Sequence, residues 1–205
     1  KNTIQEIIEE SKNIKSFAIL APISSNGKYP NYTIDKESQN NTNFDLPFNV
    51  KSVDGYDMVL DLKKINQIET FKHNNYFDEN FFMYLENDDL CKRLIDLGES
   101  IYVIPKSKIR HLGAKAVDIK YEDEIELSRN WHWIWSKFYY NKKHYGLFSA
   151  ILNGLPSFIS ALIKFFFYSL TMNRKKRKIY LNRILGFICA LLGKKSSYRP
   201  NLNLN

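Results

Sequence analysis

The sequence predicts an α/β body followed by a helical tail that is both basic and apolar. Three observations carry this. Short apolar runs that read as strands alternate with helix-period segments through residues 1–123. The last acidic residue is Glu126, and from residue 127 onward there are 14 Lys or Arg and no Asp or Glu. Residues 147–163 then form a run of 17 residues without a charge. A chain of 205 residues that is 44% hydrophobic and 15% aromatic can bury a core and is not a disordered one. Two parts are therefore expected, a body over 1–123 and a tail over 124–205.

In chain order, Ile4, Ile7, Ile8 and Ile14 recur at helical spacing. "FAILAP" (17–22) is a short apolar run closed by Pro22 and reads as a buried strand. Residues 24–49 are rich in Asn, Ser, Thr and Lys, which predicts a long loop with a short strand near Tyr32. "YDMVL" (56–60), led in by Gly55, is the next strand candidate. Asn87 can cap a helix whose first turn holds Asp88 and Asp89. Leu90, Leu94 and Leu97 share one face of that helix, and Gly98 stops it. "IYVIP" (101–105) and "IRHLG" (109–113) read as two more strands. The order helix, strand, loop, strand, helix, strand is part of a doubly wound sheet whose beginning is missing. The opening "KNTIQEIIEESKN" likewise reads as the middle of a protein.

In the tail, Trp131, Trp133, Ile134, Trp135 and Phe138 predict an aromatic helix over 124–140, in which Trp131, His132, Trp133 and Trp135 either shape an acceptor site or, the favoured reading, pack as core and interface anchors. The uncharged run 147–163 is expected to kink at Gly154 and Pro156 and is borderline for a membrane span, which needs about 20 apolar residues. Five basic residues follow at 174–178, and then "ILGFICALLG". Residues 1–126 hold 16 basic against 22 acidic residues, so an acidic body is joined to a wholly basic tail. Apolar segments bracketed by Lys and Arg suit an anionic membrane surface, and the apolar flanks of the basic run argue against nucleic acid. Cys91 and Cys189 lie far apart with no disulfide or metal spacing, as in a reduced compartment.

The chemistry concentrates in "FDENFFMYLENDDLCKRL" (77–94), where Asp78, Glu79, Glu86, Asp88 and Asp89 surround an aromatic run. Carboxylates beside core material are costly unless something pairs with them. At a helix start behind a buried element, an ionised carboxylate can act as a general base or orient a metal or sugar. His111, followed by Gly113, can ligate a metal or hydrogen-bond a phosphate. The plain alternative is helix-capping chemistry for the acids and a structural role for His111.

The block "FDENFFMYLENDDLCKRLIDLG", followed by "IYVIPKSKIRHLG", resembles the C-terminal half of the catalytic domain in bacterial family-2 glycosyltransferases, nearest the rhamnosyltransferase-like branch. The shared pattern is Phe77-Asp78-Glu79, Phe81-Phe82, Glu86-Asn87, Asp89-Leu90, Arg93, Gly98, a strand, and His111 with Gly113; "VDGYDMVL" is similar to the Gly-containing strand upstream. The resemblance covers residues 1 to about 145 and is most specific over 77–113, and the tail follows it more loosely.

That resemblance implies a GT-A, Rossmann-like sheet and inverting transfer of a sugar from a nucleotide-sugar donor to a glycan or lipid-linked acceptor. It implies Mg²⁺ or Mn²⁺ at the donor diphosphate and a place at the cytoplasmic face of a bacterial inner membrane, peripheral or shallowly inserted. Glu86, Asp88 and Asp89 would line the acceptor side, and His111 would touch the metal or diphosphate. Asp54 and Gly55 would lie near the donor sugar, with Asn87 and Arg93 beside the substrate.

Two departures matter. Asn87 stands where the family has the Asp usually taken as base, so Glu86 ranks first as its substitute, then Asp88 and Asp89. No Asp-x-Asp, the family's donor-half signature, occurs in the sequence, so the chain is expected to hold the acceptor half of an enzyme. A non-catalytic, membrane-associated glycan-binding module and an unrelated metal-dependent hydrolase are the rival readings.

Overall fold

A computed structural model describes residues 3–26, 29–111 and 118–201. The chain divides into two compact units, one of Lys1–Asp78 with Glu86–Leu112, the other of Glu79–Leu85 with Gly113–Asn205. The aromatic run at 79–85 thus belongs to the second unit, and the acids that follow it belong to the first.

The first unit is mixed α/β. Its elements are α1 (Thr3–Ser11), β1 (Ile19–Ser24), β2 (Tyr32–Thr33), α2 (Lys36–Asn41), β3 (Phe48–Asn49), β4 (Ser52–Val53), β5 (Val59–Leu60), α3 (Leu62–Ile65), α4 (Glu86–Asp96) and β6 (Ile101–Ile109). The main sheet has the order β3-β6-β1-β5, and β2 pairs with β4 separately. β1 and β6 are parallel, whereas β5 and β3 flank them antiparallel. The expected doubly wound sheet is therefore one parallel pair with antiparallel edges.

β1 is apolar without interruption because both of its faces are covered. Ile19 and Ala21 enter one cluster with Leu90 and Leu94 of α4, and Leu20 enters another with Ile7 of α1 and Ile104. These residues are at most 4% exposed. α4 stops as its Gly predicts: Gly98 has φ 84°, its N–H donates to the Ile95 carbonyl, and the Glu99 N–H donates to Leu94.

Several local expectations are corrected. "IYVIP" and the start of "IRHLG" are one strand that runs past Pro105, because the β1–β6 register shifts there and a missing N–H costs no ladder bond. That strand ends at Ile109; Arg110 and His111 lie beyond it, and residues 112–117, including Gly113, lie outside the described residues. In "YDMVL" only Val59 and Leu60 are in a strand. The long loop contains α2, whose six polar residues carry no apolar signal. Leu97 is half exposed, since the helix has already ended.

The second unit is helical, built from α5 (Glu122–Leu170) and α6 (Arg174–Leu191). The break in α5 is at Gly146 (φ 83°, ψ 168°), not at Gly154 or Pro156, which the helix runs through. Only glycine adopts that backbone readily. The two halves of α5 fold back on each other, with Asn153 reaching Asn141, and α6 packs along both. Gly154 permits this: a Cβ there would stand 2.6 Å from the Phe187 ring, and one at Gly186 would stand 2.5 Å from the Trp131 carbonyl oxygen. Asn173 caps α6 by accepting from the Lys176 N–H (3.1 Å).

The first half of α5 is sheathed on its outer side by the chain itself. Phe81 packs edge-on to Tyr139, Tyr84 packs on Trp133, and Ser136 donates to the Met83 carbonyl. From the C-terminal stretch, the Lys194 carbonyl accepts from the Trp135 indole N–H and the Arg199 guanidinium lies 3.6 Å over Phe82. His132, fully buried, uses both ring nitrogens. Its Nε2 faces the Tyr198 carbonyl and so donates, which leaves Nδ1 to accept from the Ser196 hydroxyl. By length and composition, the α5 helix is apolar enough to cross a membrane, and only 11% of its most apolar stretch is buried.

Candidate functional site

Because β1 and β6 are parallel, their carboxyl ends, Ser24 and Ile109, meet at one edge of the sheet. Ligands of open α/β sheets are received at such an edge. Two more segments arrive there, the 54–57 turn and the first turn of α4.

Asn31 anchors the turn. It is fully buried; its side-chain amide donates to the Pro22 carbonyl (2.7 Å) and to Asp57, and its side-chain oxygen accepts from the Ser24 N–H (2.7 Å). Its main-chain carbonyl accepts from the Asp54 N–H (2.9 Å). The turn then projects Tyr56, whose ring stacks on His111 with centroids 4.1 Å apart.

α4 arrives with Glu86 already in the helix. The expected cap, Asn87, is therefore a first-turn residue, and its amide donates to the Val53 carbonyl (2.8 Å). Gly55 lies under this turn. A Cβ on it would touch Asn87 at 3.5 Å and the Glu86 Oε1 at 3.8 Å. The other Glu86 carboxylate oxygen, Oε2, is buried and has no hydrogen-bond partner among the described residues.

Electrostatics mark the same place. Desolvation raises the Asp54 carboxyl, the Asp88 charge raises it further, and His111 opposes both. Asp88 is also raised by desolvation, against a hydrogen bond with Ser52. Burial pushes Asp57 up to about 7, opposed by the Asn31 amide and reinforced by Asp54. Beside them the Cys91 thiol is pushed up to about 12 by burial, which makes it inert.

The structure thus brings together Asp54, Gly55, Glu86, Asn87, Asp88 and His111. Asp89 and Arg93 are engaged elsewhere. Asp89 is fully buried and accepts from the Arg93 Nε (2.8 Å), and the Arg93 guanidinium lies 4.8 Å over Phe71 and donates to the Tyr76 carbonyl. Asn31, Tyr56 and Asp57 join the site without a sequence signal, since Asn31 sits in a polar loop and the other two read as strand. Both cysteines are free.

Among the described residues no three His, Cys, Asp or Glu side chains converge as a metal site, and His111 faces Asp54 and Tyr56. What the cluster can do is accept a proton at Glu86 and hydrogen-bond hydroxyls through Asp54, Asp88 and Tyr56. No family model, curated protein or solved structure matches the chain. The functional reading therefore rests on this geometry and on the resemblance over residues 77–113.

Proposed function

We propose that this chain supplies the acceptor side of an inverting, GT-A-type glycosyltransferase of cell-surface polysaccharide assembly. The enzyme takes a sugar from a nucleotide-sugar donor and passes it to a hydroxyl of a glycan or lipid-linked acceptor. It works at the cytoplasmic face of a bacterial inner membrane, held there by the apolar, basic tail. The single observation that carries the reading is the Glu86 carboxylate, with one oxygen buried and unpartnered among the described residues, beside Gly55 at the carboxyl edge of the parallel strands.

In this reading Glu86 takes the proton from the acceptor hydroxyl as that oxygen bonds to the anomeric carbon and the nucleoside diphosphate leaves with the electrons of the bond it held, so Glu86 stands in for the Asp that Asn87 replaces. Asn87 holds the turn through Val53. Asp54 and Asp88 orient sugar hydroxyls, and Gly55 keeps the approach open. Asp89 with Arg93 fixes α4 rather than touching substrate.

The test is nucleotide-sugar turnover by the native protein and its Glu86→Gln variant. The expected result is a fall in kcat of about 10²- to 10⁴-fold with KM little changed. A variant that keeps its rate overturns the assignment. A specific observation favours a second reading, a glycan-binding module without catalysis: Asn87 cannot act as a base, and its amide is engaged with the Val53 carbonyl. Glycan binding without turnover by the native protein would select it.

A further inference from the structure

The helical unit leaves two stripes uncovered. On the second half of α5, Phe148, Leu152, Leu155, Ile159, Ile163, Phe166 and Leu170 are 40–84% exposed and recur every three or four residues along one face. On α6 and its C-cap, Leu181, Leu185, Ile188 and Leu192 do the same at 36–63%. The first half of α5 shows no such stripe, because segment 79–85 and the C-terminal stretch cover it. Two of three packed helices are thus apolar outward as well as inward.

We propose that this helical hairpin, 147–170 with α6, lies in the plane of an anionic membrane leaflet with both stripes immersed, and does not span the bilayer. Charge selects a lipid surface over a second copy of the chain or a protein partner. Lys142 and Lys143 precede the hairpin, Arg174, Lys176, Arg177 and Lys178 stand at its bend beside Lys175, which is paired with Asp123 and Glu126, and Lys194 and Lys195 follow it, so both ends carry cations for lipid phosphates.

Helix length alone permits spanning, since 24 residues rise about 36 Å. The packing opposes it. A spanning bundle would draw Arg129, Asn130, Asn182 and Arg183 of the partner helices into hydrocarbon, and Arg183 is tied to Asn130 (2.7 Å) at mid-bundle. Each such charge at the bilayer centre costs on the order of a hundredfold in insertion. Lys164, the one charge in the second half of α5, sits off the exposed stripe with its Nζ 5.4 Å over the Tyr180 ring. Tyr180 stacks on Tyr168, whose ring lies under the Lys176 Nζ at 5.1 Å. Two tyrosines capped by lysines suit the headgroup level, where aromatic rings and cations both reside.

This inference rests on the membrane part of the proposed function and is independent of sugar transfer. The experiment places an environment-sensitive thiol label at Leu152→Cys, Ile159→Cys, Phe166→Cys or Leu185→Cys, one at a time, in the full chain carrying Cys189→Ser, with Cys91 buried. Vesicles of phosphatidylcholine with phosphatidylglycerol are compared with phosphatidylcholine alone, using depth-dependent quenchers. The expected result is equal, shallow depth at all four positions. Binding to the anionic vesicles weakens at high salt and falls about fivefold for each of Lys176, Arg177 and Lys178 changed to Gln. A depth that peaks at 159 means spanning and overturns the proposal. Labels that stay in water on both vesicle types mean a protein or second-copy partner and overturn it too. Turnover of nucleotide-sugar tests the other reading separately.

Discussion

Asp57 shows how one side chain can be read as a thermodynamic probe. It is 6% exposed, one of its oxygens has no partner among the described residues, and its carboxyl is raised from 3.8 to about 7. Between those values the folded state holds a proton that the unfolded state has released, so stability falls as pH rises through that window. The loss amounts to about 1.4 kcal/mol for each pH unit across it. Urea midpoints should therefore be higher at pH 5 than at pH 8. Asp57→Asn, which keeps an acceptor for Asn31, should remove this contribution to the difference. Equal midpoints in the unmodified chain would refute the raised carboxyl. Glu86 and Asp88 were legible as candidate site residues because acids at a helix start are visible in sequence. Asn31 was not, since its role depends on Pro22, Ser24 and Asp57 arriving at one point.

At the scale of elements, the strands and α4 were largely legible and the breaks were not. β1, the 101–105 strand and the Gly98 stop follow from apolar runs and a glycine in the left-handed region, which are local signals. The helical tail misled because Gly154-x-Pro156 is the stronger local breaker, yet packing against Phe187 keeps that stretch helical and Gly146 takes the turn. Two predictions test this account. Gly186→Ala should destabilise the helical unit by about 1–3 kcal/mol, because a methyl meets the Trp131 carbonyl oxygen rather than a yielding side chain. Thermal unfolding followed by Trp fluorescence reads it, and no change would mean that α6 is not seated as described. Arg93→Leu should cost about 3–5 kcal/mol, since it strips a buried carboxylate of its cation. Asp89→Asn combined with Arg93→Leu should recover part of that loss, measured in the same urea titration.

For the whole molecule, charge is the organising quantity. The acids all lie before residue 127, while the apolar stripes lie entirely after it, among Lys and Arg only. Exposed apolar faces of this length drive self-association in water. Without detergent or lipid the purified chain should form large species by light scattering. Ile159→Glu together with Ile163→Lys should shift it toward monomer without changing its helical circular dichroism. Persistence of the same large species would mean that a different surface associates. The division of charge was visible in the sequence. That α6 adds a second stripe was not, because its apolar residues read as one block until the fold sorts them into those facing Phe138 and those facing out.

The turn at Gly146 has a consequence in handedness. Its φ of 83° with ψ of 168° is the mirror image of an ordinary extended conformation, and an added Cβ of the natural hand would meet no atom within 4 Å beyond its own local backbone and chain neighbours. The demand at this position is thus purely stereochemical. An L-alanine placed there should weaken the helical hairpin by about 1–3 kcal/mol of backbone strain alone. A D-alanine introduced by chemical ligation should be accepted and, by narrowing the unfolded ensemble, should strengthen the hairpin by about 0.4–1 kcal/mol. Two residues with identical atoms would then act in opposite directions at one turn.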